Sequence, residues 1–174
     1  MAFTPENRAR ARGIVERYPH PKSAILPLAH LAQDQDGWLS RDAMCEIAEL
    51  VDRTPADVLG TCSFYTMLKR EPVGRLVVSV CTNVTCLVTG GPEVLDHLRH
   101  RYADDPEVYV EEVECLAACG GAPAMQVNYE FHENVTSESA ESVVEAYKRG
   151  ELQARTVSGA RVGSGSNVGS GSSD

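Results

Sequence analysis

Four of the six cysteines fall into two close pairs, Cys81 with Cys86 and Cys115 with Cys119, and each pair follows a short β-branched run. The first run is Arg75 to Val80 (RLVVSV) and the second is Val108 to Val113, and both read as strands. If the two strands are neighbours, both pairs emerge at one edge of a sheet. Four thiolates on two adjacent loops then surround one centre, and a chain that keeps such a centre must keep those two strands side by side. Gly120, Gly121 and Pro123 suit a tight loop whose backbone N–H groups point at sulfur and stabilise negative charge.

The spacings are C-x4-C and C-x3-C. Four cysteine sulfurs are what a [2Fe–2S] cluster takes. A four-cysteine zinc site is the nearest competitor, because thiolates suit zinc too, although zinc ribbons favour the narrower C-x2-C knuckle. Thiol–disulfide chemistry is a third reading, weakened by the lack of a C-x-x-C pair. The remaining cysteines, Cys45 and Cys62, lie within helical patterns and read as buried small hydrophobes. His97 and His100 share a helix face with no third ligand, so a solvated face is the expectation there.

Up to about residue 70 the pattern is helical. Thr4-Pro5-Glu6 supplies an N-cap, an N1 proline and a first-turn acid. The helix it opens stops before Tyr18-Pro19-His20-Pro21. A second helix starts near Ser23, with Ile25, Leu28, Ala29 and Ala32 on one face, and ends at Asp36-Gly37. Ser40 caps a third, with Met44, Ile47, Ala48 and Val51 inward. Thr54-Pro55 opens a shorter helical stretch running through Leu59 and Phe64 to Leu68.

After Pro72 the order is β-α-β-β-β-α. Gly90-Gly91-Pro92 opens a helix bearing Val94, Leu95, Leu98 and Tyr102. Ala124 to Asn128 reads as a third strand and Glu130 to Val135 as a fourth. Thr136 caps a last helix with Val143, Val144 and Tyr147, closed by Gly150. The expected organisation is an α+β chain: a helical bundle over 1–70, a small α/β layer structure over 71–155, and a disordered Gly/Ser-rich tail over 156–174.

Charge follows the same division. The net charge is −9, yet residues 1–70 carry nine basic and nine acidic groups and balance. Residues 71–155 hold six basic and fifteen acidic groups, the whole of the excess. That acidity argues against a nucleic-acid surface, which needs clustered Lys and Arg. No apolar run approaches the ~20 residues of a membrane-spanning helix, and charged residues from Glu6 to Arg17 replace any secretory apolar core. A cytoplasmic location without direct membrane insertion is the expectation, where cysteines serve metals or chemistry more often than structural disulfides.

Read with their neighbours, the cysteines carry a resemblance. Val80-Cys-Thr-Asn-Val-Thr-Cys86, Glu111-Glu-Val-Glu-Cys-Leu-Ala-Ala-Cys119 and Ala122-Pro-Ala-Met-Gln-Val-Asn128 resemble the thioredoxin-like [2Fe–2S] subunit of NADH:quinone oxidoreductase, respiratory complex I. Tyr18-Pro-His-Pro-Lys-Ser-Ala24, His30-Leu-Ala-Gln33, Gly37-Trp-Leu-Ser40 and Phe64-Tyr-Thr-Met67 are similar to that subunit's helical amino-terminal region.

The resemblance implies a helical bundle, used for docking, followed by a thioredoxin-like ferredoxin domain. It implies one [2Fe–2S] cluster with Cys81, Cys86, Cys115 and Cys119 as its ligands, and no catalytic residue on this chain. It implies membership of NADH dehydrogenase as an electron carrier without a substrate site. The partners implied are a flavoprotein subunit that binds FMN and NADH, with other subunits of the peripheral arm, on the cytoplasmic face of a bacterial membrane. The same module also serves NAD-linked hydrogenases and formate dehydrogenases. One departure stands out: only 28 residues separate Cys86 from Cys115, fewer than is usual in that family.

Overall fold

The computed structural model describes residues 3–153, so the tail read above as 156–174 lies outside the described residues. The chain divides into two compact units. One is the chain up to Val77 with Asp104–Tyr109, and the other is Val78–Ala103 with the chain from Val110 on.

Local capping explains the helices of the first unit. The Thr4 hydroxyl accepts the Asn7 N–H at 3.2 Å and starts α1 (Pro5–Val15). A 3-10 turn at Pro21–Ala24 precedes α2 (Ile25–Asp36). Gly37 ends α2 at φ +79°, a left-handed cap that glycine adopts without steric cost. Ser40 accepts the Ala43 N–H and begins α3 (Arg41–Leu50), and a reciprocal Thr54–Asp57 capping box begins α4 (Pro55–Ser63). Ile25, Leu28, Leu39, Ile47, Val51 and Val58 are fully buried between these helices. Each such aliphatic contributes about 1.5–3 kcal/mol of transfer free energy, which pattern alone would assign to these positions.

One expectation fails here. The stretch after Thr54 does not run helical to Leu68: α4 stops at Ser63, and Phe64 is its C-cap. Phe64 is 81% exposed and Leu59 is exposed as well, so this end of the helix presents an apolar surface.

After the helices, β1 (Leu76–Cys81) leads through a short helix α5 (Thr85–Val88) to α6 (Gly91–Arg101) and β2 (Val108–Val113), and the first two residues of each of these strands still belong to the first unit. Strands β3 (Met125–Val127) and β4 (Glu130–His132) precede α7 (Ser137–Lys148). The sheet order is β2-β1-β3-β4. The Leu76 N–H donates to Glu107 O and the Thr82 N–H to Val113 O, so β1 and β2 advance together and are parallel. The β1–β3 pair is antiparallel, with Val78 opposite Val127, and β3 and β4 form an antiparallel hairpin.

Strand lengths differ from the sequence reading. The hairpin turn is Asn128-Tyr129, both at positive φ, as a two-residue turn matching strand twist requires. That turn ends β3 at Val127, and β4 at His132 stops short of Val135. His97 is also not on a freely solvated face, because its Nε2 lies 2.8 Å from the Glu141 carboxylate on α7. Arg101 donates to the same carboxylate at 2.7 Å and holds it below the usual carboxylate range, with His97 adding to the effect. No helix among the described residues is long and apolar enough to cross a membrane.

Candidate metal centre

Strand β1 ends on Cys81, whose N–H donates to Ala124 O at 3.1 Å, while the next N–H, of Thr82, reaches Val113 O. The cysteine is thus fixed between the end of β2 and the start of β3. From there the chain turns through Asn83, whose carbonyl accepts the Cys86 N–H at 2.9 Å, into α5, which carries Cys86. Both residues are nearly inaccessible, 4% and 2% exposed, in a small apolar cluster with Ala124 that Val113, Leu116, Ala118 and Ala122 surround.

Cys115 and Cys119 are placed differently. They lie on the irregular segment between β2 and β3, and both are exposed. Ala117, between them, sits at φ +58°, a conformation that costs a residue with a β carbon about 1 kcal/mol. In return its N–H points at Cys115 Sγ, 3.3 Å away. A 3-10 turn, Cys119–Gly121, follows and leads to Pro123. Glycine matters at one further point: a β carbon on Gly91 would lie 2.6 Å from Cys81 O and 2.8 Å from Cys86 O. The first turn of α6 therefore rests directly on the backbone of the buried pair.

The sulfurs meet. Cys81 Sγ is within hydrogen-bond reach of both the Cys86 and Cys115 thiols, and Cys86 is close enough to Cys119 to feel its charge. Backbone N–H groups of Asn83 and Leu116 point at Cys81 sulfur, and that of Ala124 at Cys86 sulfur. Burial pushes the Cys81 thiol up, but those N–H groups and the neighbouring thiols outweigh it, and its pKa falls below the ordinary value. Cys86 moves the other way, raised by burial and by the adjacent Cys81 and Cys119. The two thiols titrate as a pair in which Cys81 ionises first.

What could such an arrangement hold? Among the described residues no three His, Cys, Asp or Glu side chains converge as the ligands of one metal ion. A two-iron cluster spreads four thiolates over two metal positions, and its sulfurs accept N–H groups. Pairwise sulfur contacts with aimed amides fit the cluster.

Cys62 provides the contrast. It is fully buried among the helices of the other unit, where burial pushes its thiol up to about 11. Cys45 is half-buried rather than buried. Three aliphatics next to the buried pair, Val84, Leu87 and Val88, stand largely exposed, at 71%, 56% and 78%. The sequence offered no signal for that exposure, since all three look like core residues in a local pattern.

Comparison with known proteins assigns the family. Residues 11–148 match the family model for thioredoxin-like [2Fe-2S] ferredoxin. An NADH-quinone oxidoreductase subunit of Mycobacterium bovis is 37% identical over 166 residues, covering 89% of this chain and 66% of that protein. NADH dehydrogenase [ubiquinone] flavoprotein 2, mitochondrial, of Dictyostelium discoideum is 35% identical, covering 86% of this chain and 64% of that one. The chain thus spans just under two thirds of the length of these relatives. Among solved structures, NAD+-reducing [NiFe]-hydrogenase in the H2-reduced state superposes with a TM-score of 0.63. At 20% identity over 72% of this chain and 22% of that one, the likeness concerns the fold alone. With the family model covering both cysteine pairs and most of the helical region, the chain belongs to the thioredoxin-like [2Fe–2S] ferredoxins.

Proposed function

We propose that this chain is the electron-carrying subunit of an NADH:quinone oxidoreductase, with one [2Fe–2S] cluster held by Cys81, Cys86, Cys115 and Cys119. The observation that carries the proposal is the approach of the Cys86 and Cys115 thiols to Cys81 sulfur, with Cys119 near enough to Cys86 to act on it through its charge and with backbone N–H groups aimed at Cys81, Cys86 and Cys115. The relatives named above favour this complex over an NAD-linked hydrogenase, whose likeness is one of fold.

Bound there, the cluster supplies one-electron chemistry. The chain's residues do the rest. Cys81 and Cys86 anchor it in an apolar pocket that excludes water on one side. Cys115 and Cys119 bring its other side to the surface, where a partner can approach. The amides of Asn83, Leu116, Ala117 and Ala124 stabilise negative charge on sulfur without a compensating proton. Residues 71–155 form the electron-transfer part and residues 1–70 the docking part, set on a flavoprotein subunit that binds FMN and NADH, in the peripheral arm on the cytoplasmic side.

Co-expression with that flavoprotein subunit tests the reading. The purified chain should be coloured, contain iron and acid-labile sulfide, and give a [2Fe–2S] electron paramagnetic resonance signal on reduction. NADH oxidation with ferricyanide should require the partner. A colourless zinc protein, or robust NADH oxidation by the chain alone, overturns the proposal.

A further inference from the structure

The turn that carries Cys119 has a second neighbour. Gly121 closes the turn and is buried, and the space where its β carbon would be is filled by Glu133. A β carbon there would overlap the Glu133 carboxylate and come within 2.6 Å of that residue's Cβ and Cδ. The glutamate side chain therefore lies across the bare Cα of Gly121. Its backbone is pinned in the same place, because the Asn134 N–H donates to Gly121 O at 2.6 Å and the Val135 N–H to Pro123 O at 3.0 Å. The segment after β4 runs alongside the cysteine-bearing turn, and Glu133, though exposed, lays its side chain over the gap that Gly121 leaves.

Two other acids near the cysteines, Glu111 and Glu112, are engaged elsewhere, while Glu114 stands exposed before Cys115. Glu111 accepts the Ser79 hydroxyl at 2.8 Å, and Glu112 accepts the Thr82 hydroxyl at 2.6 Å with Arg99 3.9 Å away. Arg99 offsets part of the charge of Glu112. Glu133 packs on the cysteine turn itself.

We infer that Glu133 is a positioning residue for the electron-transfer site: a negative charge held against the Cys119 turn by the missing side chain of Gly121, which lowers the cluster's midpoint potential. The inference rests on the reading of Cys119 as a ligand. Reduction adds one electron and hence one negative charge to the cluster, and a carboxylate fixed nearby opposes that step by Coulomb repulsion. The effect weakens as salt screens the partly exposed pair.

Potentiometric titration of the intact, cluster-loaded chain, followed by electron paramagnetic resonance, tests it with three variants. Glu133→Gln, of equal size, should raise the midpoint with unchanged iron content and unchanged g-values, and the rise should shrink on adding salt. Glu133→Asp keeps the charge and should stay close to wild type. Gly121→Ala displaces the carboxylate and should raise the midpoint too, with little further rise when combined with Glu133→Gln. An unchanged midpoint in Glu133→Gln overturns the inference, as do equal shifts in the Gln and Asp variants, which would mark packing rather than charge. A wild-type chain that assembles no cluster defeats the ligand assignment instead, so the two failures are told apart.

Discussion

The two cysteine pairs, proposed above as ligands of one cluster, stand in opposite environments. Cys81 and Cys86 stand on a strand end and a helix, closed off from solvent, with the α6 backbone pressed against their carbonyls. Cys115 and Cys119 stand on irregular chain, exposed, with local order supplied by one strained alanine and a 3-10 turn. The difference teaches that regular structure fixes one half of the centre and leaves the other half open to a partner. Burial alone does not set Cys81 apart, since Cys62 is at least as buried. What separates them is the set of N–H groups and thiols aimed at Cys81, which turns its pKa in the opposite direction.

The most severe test of the comparison removes one thiol at a time. Alanine at Cys81, Cys86, Cys115 or Cys119 should each cut iron and sulfide content by more than about tenfold, because losing a ligand costs more than the ~10–100-fold typical of residues that merely support ligands. Alanine at Cys45 or Cys62 should leave it unchanged. Full cluster content in Cys115→Ala would mean that the open half is not a ligand pair at all.

Alkylation of the cluster-free chain sharpens the role of burial. A thiol raised from 9.0 to about 11 has about a hundredfold less thiolate at neutral pH, so Cys62 should react at least that much more slowly than an ordinary thiol. Cys115 and Cys119 should label first in a mass-spectrometric time course. Equal rates for Cys62 and Cys115 would show that the helical unit opens too often for its burial to count.

Two alanine substitutions at glycine compare the halves directly. Gly91→Ala puts a β carbon into backbone carbonyls that cannot give way, and should cost about 1–3 kcal/mol in denaturant unfolding. Gly120→Ala, beside Cys119, meets nothing within 4 Å and should fall within about 0.5 kcal/mol of wild type. Similar losses at both positions would erase the contrast between a packed half and an open one.

The smallest expected effect concerns the surface acid before Cys115. One carboxylate ~10 Å from the cluster, at an effective dielectric of ~20, opposes reduction by about 1.7 kcal/mol, or roughly 70 mV. Exposure of Glu114 reduces this to a few tens of millivolts, so Glu114→Gln should raise the midpoint by that much at low salt. A fall in the midpoint would show that the acids near the open half do not set the potential.

Much of this was legible beforehand because capping and cysteine spacing are local. Thr4, Ser40, Thr54 and Thr136 each start a helix where their side chains can accept an N–H three residues on. The four cysteines that the structure brings near one another are the four that spacing singled out. What stayed hidden depends on contacts between distant segments or on unusual backbone. No rule of composition marks Tyr129 for positive φ, so the hairpin turn and the true ends of β3 and β4 were unreadable. The exposure of Phe64 was likewise hidden, because hydrophobicity says nothing of what covers a residue. The approach of Glu133 to Gly121 links residues twelve apart through a turn whose course pattern reading does not fix.

The order of the sheet carries a consequence for solubility. With β2 as a terminal strand, one row of its backbone groups has no neighbouring strand among the described residues and offers a template on which a second chain could add. Glu111 and Glu112 on that strand accept the hydroxyls of Ser79 and Thr82, so their carboxylates reach back toward the paired side rather than out along the open border. At the opposite border β4 is only three residues long, too short to recruit much. Of the two borders, β2 with its six residues is therefore the one on which edge-to-edge assembly would start.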